Sequence, residues 1–303
     1  MIAIDIGGTK IECGVVAGDG RVTIRRRVLT GGGTEEDLFE LVASTAERVR
    51  DEAASLAGAT TPVMCGVGCG GPMDMRADTV SPLNIAQWDD FPLRSRLEAR
   101  LGLPTHVDND AKALTLAEGW IGAAVGEPNF LAMVVSTGVG AGIVSDGRLL
   151  DGRSGNSGHI GHVVVVPDGR LHAGIAGTLE GEASGTAIAA HTGRPAKDAS
   201  VEWQIRTGKL VGRAVGSVCN LLDMKLAVVA GSVALGFGAV FFDAANDELG
   251  RVALLDHSLG ARIVPAGLGS DGPLVGAAAV AWYRSGYRLG DLQLPTHSRS
   301  GGH

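Results

Sequence analysis

The chain has 303 residues, of which 45% are hydrophobic and 19% charged, and its formal net charge at pH 7 is −7. This length predicts about two domains with substantial cores, and the composition is typical of a globular protein. The negative charge argues against a general binder of nucleic acid or of an anionic membrane surface, and no apolar stretch is long enough to span a bilayer.

The first predicted element is a β-hairpin with a glycine tip. Ile2 to Ile6 is an apolar run with one acid, Asp5; Gly7-Gly8 is a turn signal, and the apolar run Ile11 to Val16 follows. Glycine N–H groups can cradle phosphate oxygens, and an acid at the strand end can organise hydrated Mg²⁺ beside them. On these residues alone, an ordinary hairpin is an equally good interpretation. Because Met1 leads directly into the strand, we expect no signal peptide and a cytoplasmic location.

The rest of the first half alternates helices and strands, which indicates an α/β domain. An amphipathic helix is predicted over 34–58, with Thr34 as its N-cap and Asp37 at the capping-box position. The later segments are a strand from Pro62 to Val67 closed by the glycine cluster 66–72, a helix from Leu93 to Leu101, a strand from His106 to Asp108, and a helix that continues through Gly119.

The second half begins with the same pattern of apolar strand, glycine loop and apolar strand. Its three parts are Leu131 to Val135, the loop 136–142 and Ile143 to Ser145, and this repetition suggests a duplicated fold. The later predicted elements are a helix over about 200–223, a strand from Leu226 to Ala230, a helix over about 233–249, a strand from Arg262 to Pro265 and a helix over about 273–286. The polar tail, 288–303, is expected to be mostly disordered.

Three polar residues, Asp108, Asn109 and Asp110, lie where a buried strand becomes a helix. Such a position is costly unless the polar groups are satisfied or used. Asp110 could accept the proton of a sugar hydroxyl that attacks a γ-phosphate, and Asn109 could bind neighbouring hydroxyls. The alternative is a helix N-cap, a role that we assign to one of the three residues and not to all of them.

Six segments along the chain form a pattern; in order, they are Asp5 to Lys10, Gly66 to Pro72, Asn84 to Trp88, Asn109-Asp110, Ser136 to Gly142 and Gly155 to His162. This pattern resembles that of ROK-family sugar kinases, which belong to the sugar kinase/Hsp70/actin ATPase superfamily. The resemblance implies a two-lobed, actin-like ATPase (ribonuclease H-like) α/β fold, with duplicated domains and a cleft between the lobes. It implies an N-terminal lobe over 1–112 on the sugar and phosphate side. The nucleotide-side lobe would cover 113–287, with its last helix packed on the first lobe. Because the fold begins at residue 1, without the helix-turn-helix domain of the family's repressors, we expect the kinase branch.

The resemblance also implies roles for individual residues in the transfer of the ATP γ-phosphoryl group to a hexose 6-hydroxyl. Asp110 matches the catalytic base. The positions that match sugar contacts are Gly71, Asn84, Asn109, Asp110, His162 and Glu180. The first phosphate turn comprises Asp5, Gly7, Gly8, Thr9 and Lys10, with Asp5 holding Mg²⁺ through water; the second contains Thr137 and Gly138, and Gly231 and Ser232 match the adenosine loop. A homodimer or larger homo-oligomer is also implied.

The chain departs from the family pattern at two places. The family usually has Gly-Glu-x-Gly-His, whereas here His159 replaces the acid, and we favour a sugar-binding role for it over a packing role. In the segment that resembles the family's zinc-binding run, Leu171, Ala173 and Thr178 replace three cysteines. Because His162 and His172 alone cannot complete a tetrahedral site, we expect no structural zinc.

These departures suggest a specialised kinase. Glucose and the aminosugar kanosamine (3-amino-3-deoxyglucose) are favoured, the latter because similar kinases serve antibiotic pathways in actinomycetes. N-acetylglucosamine, N-acylmannosamine and fructose remain open as acceptors, and polyphosphate or another nucleoside triphosphate remains open as donor. A non-catalytic sugar sensor is the competing class, although it would not need to keep a base such as Asp110.

Overall fold

The computed structural model describes residues 1–55 and 61–292. In this part of the chain the strands are β1 (Ile2–Ile6), β2 (Lys10–Val16), β3 (Val22–Leu29), β4 (Cys65–Cys69), β5 (Met73–Asp74), β6 (Thr79–Val80), β7 (Thr105–Asn109), β8 (Phe130–Val135), β9 (Val139–Ser145), β10 (Arg148–Leu149), β11 (Leu171–His172), β12 (Ile175–Ala176), β13 (Leu226–Ala230) and β14 (Arg262–Pro265). The α-helices are α1 (Glu35–Ser55), α2 (Leu93–Leu101), α3 (Asp110–Ile121), α4 (Leu179–Ala183), α5 (Gly185–Thr192), α6 (Val201–Leu222), α7 (Ser232–Phe237), α8 (Ala239–Val252) and α9 (Gly272–Arg284).

Two five-stranded sheets share one topology. The first has the order β3-β2-β1-β4-β7 and the second the order β10-β9-β8-β13-β14. In each sheet the three strands that come first along the chain pair antiparallel, and the two later strands add in parallel. The expected duplication is therefore present, and the fold is the predicted α/β class.

Helices cover both faces of the two sheets and divide the buried apolar residues into three clusters. The first sheet packs against α1 and α2, and the second packs against α6 and α8. Between the sheets lie α3 and α9, which pack against each other and contribute to the third cluster. Helix α3 contacts β8 and β9, whereas α9 contacts β1 and β4 of the first sheet. The two halves of the chain thus share a central helical layer.

Close helix packing explains where the predicted strands were misplaced. The strand predicted from Pro62 to Val67 is β4, which begins at Cys65 and extends into the glycine cluster as far as Cys69. A Cβ at Gly66 would stand 1.9 Å from the carbonyl oxygen of Ala277 in α9, so this strand position must be glycine. Likewise, much of the loop predicted over 136–142 belongs to β9, where a Cβ at Gly142 would stand 2.4 Å from Thr115 Oγ1.

Other predicted elements have the expected positions. Helix α2 and strands β13 and β14 have the predicted bounds, and α1 begins with a reciprocal capping box. Asp37 N donates to Thr34 Oγ1 at 3.2 Å, and Thr34 N donates to Asp37 Oδ2 at 2.9 Å. The prediction of a single helix over 233–249 is wrong, because Gly238, with φ of 57°, separates α7 from α8.

Two predicted segments extend beyond the described residues. The last part of the helix predicted over 34–58 lies outside them, as does most of the tail predicted to be disordered. Leu289–Leu292 form one short 3-10 turn at the start of that tail. Over residues 1–55 and 61–292, no helix combines the length and the apolarity needed to cross a bilayer.

Candidate active site

A cleft of about 760 Å³ opens between the two sheets, beside the carboxyl ends of β1, β4, β7 and β8. Most of the predicted site residues line it; these are Asp5, Gly7, Gly8, Thr9, Lys10, Gly71, Asn84, Asn109, Asp110, Thr137, Gly138, His159, His162 and Glu180. The two residues matched to an adenosine loop, Gly231 and Ser232, lie at its margin. Ser232 Oγ is 2.9 Å from the hydroxyl oxygen of Ser136, which lines the cleft.

The first glycine turn joins β1 to β2. Gly7 N donates to the Lys10 carbonyl oxygen at 3.0 Å, and Thr30 Oγ1 donates to the Gly7 carbonyl oxygen at 2.6 Å. A Cβ at Gly8 would stand 2.7 Å from the backbone oxygen of Asn84. The lack of a side chain at Gly8 therefore lets the phosphate turn lie directly against a predicted sugar-binding residue.

A buried acid holds the lysine of this turn. Lys10 Nζ donates to Glu12 Oε1 at 2.6 Å, and Arg27 Nη2 lies 2.7 Å from the same oxygen. Glu12 is fully buried in the sheet. Burial opposes its ionisation, but the hydrogen bond from Lys10 and the nearby cations prevail and lower the pKa of Glu12. The side chain of Lys10 is thus held at the edge of the cleft.

Asp5 has the properties of a metal-binding carboxylate. Burial, together with the neighbouring carboxylates of Asp110 and Glu12, raises the pKa of Asp5 to about 7, although Lys10 opposes the shift. A divalent cation would stabilise the ionised form, and Mg²⁺ usually binds through one or two carboxylates, water and substrate phosphates. Among the described residues no group of three or more His, Cys, Asp or Glu side chains is arranged to hold a metal. Asp5 beside the glycine turn therefore fits Mg²⁺ held largely by water and phosphate.

Asp110 is the first residue of α3 and lines the cleft on the same side as Asp5. Asn109 is the N-cap, because its Oδ1 accepts from Ala111 N at 3.0 Å. Burial raises the pKa of Asp110, although the hydrogen bond from Ala111 N and the nearby His159 oppose the shift. A raised pKa makes a carboxylate a better proton acceptor.

The strand between these two acids contributes a residue that the sequence did not single out as functional. Gly68 pairs with Asp5 across β1 and β4. A Cβ at Gly68 would stand 3.6 Å from Asp5 Oδ1 and 3.8 Å from the Cα of Asp110. A larger side chain here would fill the space between the two acids. In the sequence, the Gly-x-Gly-x-Gly pattern of residues 66–70 indicates that another group lies close to the backbone, but it does not identify that group.

The second glycine turn joins β8 to β9 and is tied to Glu180. Ser136 N donates to the Gly138 carbonyl oxygen at 2.9 Å. Val139 N donates to Glu180 Oε2 at 2.6 Å, and a Cβ at Gly138 would stand 2.8 Å from that oxygen. This turn therefore lies against a predicted sugar-binding residue, as the first turn does.

Three histidines form a row on the wall that carries Glu180. The ring centroids of His159 and His162 are 5.9 Å apart, and those of His162 and His172 are 5.7 Å apart. His172 Nε2 is 3.2 Å from Glu180 Oε1, and His172 Nδ1 is 3.3 Å from Thr178 Oγ1. In the segment that resembles a zinc-binding run, polar contacts thus connect the β11–β12 hairpin to α4.

His159 lines the cleft and is half-buried. Burial and the neighbouring His162 lower its pKa, although Glu180 and Asp110 oppose the shift. The ring is therefore neutral at pH 7, with one hydrogen-bond donor and one acceptor. Cleft residues not predicted from the sequence include Asn156, Ser157, Arg170 and Thr186. They lie on loops and at a helix start, with no hydrophobic period to mark them.

Comparison with known proteins connects this site to one family. The family model described as "ROK family" matches residues 1–283. A glucokinase from Thermotoga maritima is 37% identical over 193 residues, covering 62% of this chain and 58% of that protein. The match thus spans less than two thirds of that relative's length. An N-acetylmannosamine kinase from Yersinia pseudotuberculosis is 34% identical over 255 residues, covering 78% of this chain and 84% of that protein.

A solved structure shows the same architecture. It is the crystal structure of a ROK family glucokinase from Streptomyces griseus in complex with glucose and AMPPNP. It matches with a TM-score of 0.79 and 29% sequence identity, and the match covers 94% of this chain and 99% of that one. The similarity thus extends over both sheets and the cleft between them.

Proposed function

The chain belongs to the ROK family and has its two-lobed, actin-like ATPase fold, and from this premise we propose that it is an ATP-dependent sugar kinase. The proposed reaction transfers the γ-phosphoryl group of ATP to the 6-hydroxyl of a glucose-configured hexose or aminohexose. Glucose and kanosamine are the favoured acceptors. The glucokinase relatives and the structure with glucose and AMPPNP support the reaction class and the donor.

One observation carries this proposal: the Asp110 carboxylate, whose pKa is raised, lines a cleft that both glycine turns also line. Asp110 takes the proton of the sugar hydroxyl as that oxygen bonds to the γ-phosphorus. The bond from the γ-phosphorus to the bridging oxygen breaks, and ADP leaves with that oxygen. Little other covalent chemistry is required, because positioning and charge stabilisation supply most of the rate.

The remaining residues would hold the two substrates. We assign Asn84, Asn109, His162, Glu180 and the backbone at Gly71 to the sugar hydroxyls. The turns at Gly7–Lys10 and Thr137–Gly138 would take the phosphates, with Gly231-Ser232 near the adenosine. Asp5 would hold Mg²⁺, an assignment that its raised pKa supports, and the ion would neutralise phosphate charge when bound.

His159 is the residue that we expect to select the sugar. A neutral imidazole offers one acceptor and one donor, whereas the acid usual in the family accepts from two hydroxyls. This change of donors and acceptors supports an altered sugar specificity, which we extend to an aminohexose and to a place in aminosugar or antibiotic biosynthesis. The N-acetylmannosamine kinase relative supports N-acylmannosamine as an alternative, beside N-acetylglucosamine and fructose. We further propose a cytoplasmic homodimer or larger homo-oligomer.

The test is ADP release from Mg-ATP over a panel of glucose, kanosamine, N-acetylglucosamine, N-acetylmannosamine and fructose. We expect the highest kcat/KM with glucose or kanosamine, and NMR of the product should show the phosphate on the 6-oxygen. Polyphosphate in place of ATP tests the donor. Sugar binding without turnover would support a sensor instead, and no ADP release above the sugar-free rate with any hexose contradicts the kinase assignment.

A further inference from the structure

The loop that leads to His159 crosses from the second half of the chain to the first. We call residues 151–158, between β10 and His159, the bridging loop. Its Asn156 side chain makes two hydrogen bonds to the backbone of Met73 in β5: Oδ1 accepts from Met73 N at 3.2 Å, and Nδ2 donates to the Met73 carbonyl oxygen at 2.8 Å. A loop of the second half is therefore attached to the first half.

A stronger attachment lies at the start of this loop, where Asp151 binds two cations. Lys112 Nζ, on α3, donates to Asp151 Oδ1 at 2.6 Å. Arg284, at the end of α9, donates to both carboxylate oxygens, with Nη1 2.7 Å from Oδ2 and Nη2 2.5 Å from Oδ1. The two helices between the sheets thus hold one carboxylate of the loop between them.

These groups belong to a network of four charges, of which Asp108 and Lys112 are buried. Asp108, which is fully buried at the end of β7, accepts from Arg284 Nε at 2.9 Å and lies 3.4 Å from Lys112 Nζ. Lys112 is only 1% exposed. The two positive charges of the network balance its two negative charges, and this is important because an unpaired buried charge is strongly destabilising. Asp151 is the member of the network that belongs to a loop, with 37% of its side chain exposed.

The two cations keep the loop's carboxylate ionised and hold the loop in place. Burial disfavours the ionised form of Asp151, but hydrogen bonds from Arg284 and Lys112 prevail and lower its pKa to about 2. Asp151 is therefore ionised throughout the neutral range. Lys112 Nζ also donates to the carbonyl oxygen of Gly155, at 3.0 Å, so the same lysine contacts the loop at two points.

This network connects the proposed base to the proposed sugar loop. Lys112 follows Asp110 by two residues on α3, and the bridging loop ends at His159 in the cleft. We propose that Asp151 is a positioning residue for the sugar site: through Lys112 and Arg284 it locks the bridging loop against α3 and α9, so that His159 keeps its place relative to Asp110. Asp151 itself does not line the cleft, and the effect on turnover rests on the proposed kinase function.

The test is the substitution Asp151→Asn in the full chain, which keeps the shape of the side chain and removes its charge. We expect kcat/KM for the sugar to fall by about ten- to a hundredfold, because small misplacements in a reacting site have effects of this size. The KM for ATP should stay within about twofold, because the cations that bind the Asp151 carboxylate, Lys112 and Arg284, belong to neither phosphate turn. Asp151→Glu keeps the charge and should recover part of the loss.

A matched control is Glu248→Gln, which removes the charge of another largely buried carboxylate that is paired with an arginine. Glu248 Oε1 lies 2.8 Å from Arg213 Nη2 across α6 and α8, outside the cleft. This variant should leave both KM values unchanged. A loss of sugar kcat/KM in Glu248→Gln equal to that in Asp151→Asn, or an equal rise in both KM values in Asp151→Asn, would show a general loss of stability and overturn the proposal.

A second measurement separates this proposal from the kinase assignment. Hydrogen–deuterium exchange of the ligand-free protein reports on the loop whether or not any sugar is phosphorylated. In Asp151→Asn we expect faster exchange in peptides that cover 151–162, where Ser157 N donates to the Asp151 carbonyl oxygen at 3.1 Å. Peptides from the β1–β2 hairpin should be unchanged. Unchanged exchange over 151–162 overturns the loop assignment, whereas a parent protein without sugar turnover overturns only the kinase.

Discussion

The two glycine turns occupy equivalent places in two sheets of the same topology, yet their surroundings differ in charge. In the first hairpin, Ile6 pairs with Ile11 beside the turn, and the next pair is Asp5 with Glu12. In the second hairpin, Val135 pairs with Val139, and the next pair is Val134 with Gly140. The position that carries two acids in the first half is thus apolar in the second.

This difference shows how a duplicated scaffold can divide its chemistry. Both turns bring backbone close to the cleft, and each lies against a polar side chain, Asn84 in the first half and Glu180 in the second. Only the first half adds Asp5 and Asp110, and burial, followed by repulsion from Asp110, raises the pKa of Asp5. We therefore expect charge changes in the first half to have the larger effects on the chemical step.

The largest effect should come from Asp110→Asn, which removes the proposed base and keeps its shape. We expect kcat to fall by about 10²- to 10⁴-fold, the usual contribution of a general base. Calorimetry should show AMPPNP binding close to that of the parent. Asp146→Asn is the control: Asp146 is exposed in the β9–β10 turn, and its φ of 51° is one that Asn tolerates. Unchanged kcat in Asp110→Asn would refute the assignment of the base.

The next largest effect concerns Mg²⁺ and pH. Because the pKa of Asp5 is raised to about 7, protons compete with Mg²⁺ for this carboxylate below that pH. The Mg²⁺ concentration for half-maximal rate should therefore rise as the pH falls from 8 to 6, approaching about tenfold per pH unit well below the pKa. In Asp5→Asn the Mg²⁺ concentration for half-maximal rate should be at least about tenfold higher than in the parent.

Titrating Mg²⁺ at several pH values checks this prediction. In Asp5→Asn the dependence between pH 6 and 8 should flatten. Asp19→Asn, in the exposed turn between β2 and β3, is the control and should behave as the parent does. An Mg²⁺ requirement that does not vary with pH in the parent would argue against Asp5 as the ligand.

A direct comparison of the two turns uses Gly8→Ala and Gly138→Ala. A Cβ at Gly8 would meet the backbone oxygen of Asn84 at 2.7 Å, whereas a Cβ at Gly138 would meet a carboxylate oxygen of Glu180 at 2.8 Å. Backbone yields less easily than a side chain, so we expect sugar kcat/KM to fall by about a hundredfold in Gly8→Ala and about tenfold in Gly138→Ala.

Steady-state kinetics with the preferred sugar measures both losses. Gly236→Ala serves as control, because a Cβ at this position in α7 would meet nothing within 4 Å. If Gly138→Ala were as active as this control, the contact between the second turn and Glu180 would have no role in turnover.

The smallest effect should come from adding an acid to the second half with His159→Glu. A carboxylate accepts from two hydroxyls where the neutral ring accepts from one, so the preference should move between glucose and kanosamine by about tenfold. The ratio of the two kcat/KM values is the measurement. His257→Gln, outside the cleft, is the control. A ratio equal to that of the parent would assign His159 a packing role.

Elements with a strong local signal were predictable. The β1–β2 hairpin has apolar runs around Gly7-Gly8, and α2 ends at Gly102, which adopts φ of 65°. Glycines that serve long-range packing were harder to interpret. Gly66 and Gly142 resemble turn glycines in the sequence, but each lies in a strand against a helix that is distant along the chain. Local pattern does not distinguish these two uses of glycine.

The sequence by itself determined the duplicated hairpins, the family and the order of most of the longer elements, because periodicity, turn residues and motifs are read directly along the chain. Strand β3 and helices α4 and α5 were not predicted from it. It also identified Asp108, Asn109 and Asp110 as a group. Only the tertiary structure decided their separate surroundings: Asn109 caps α3, Asp110 lines the cleft, and Asp108 pairs with Arg284. The physical reason is that burial and charge act through space, so the pKa of Asp5 and the place of Asp151 depend on residues far away in the chain.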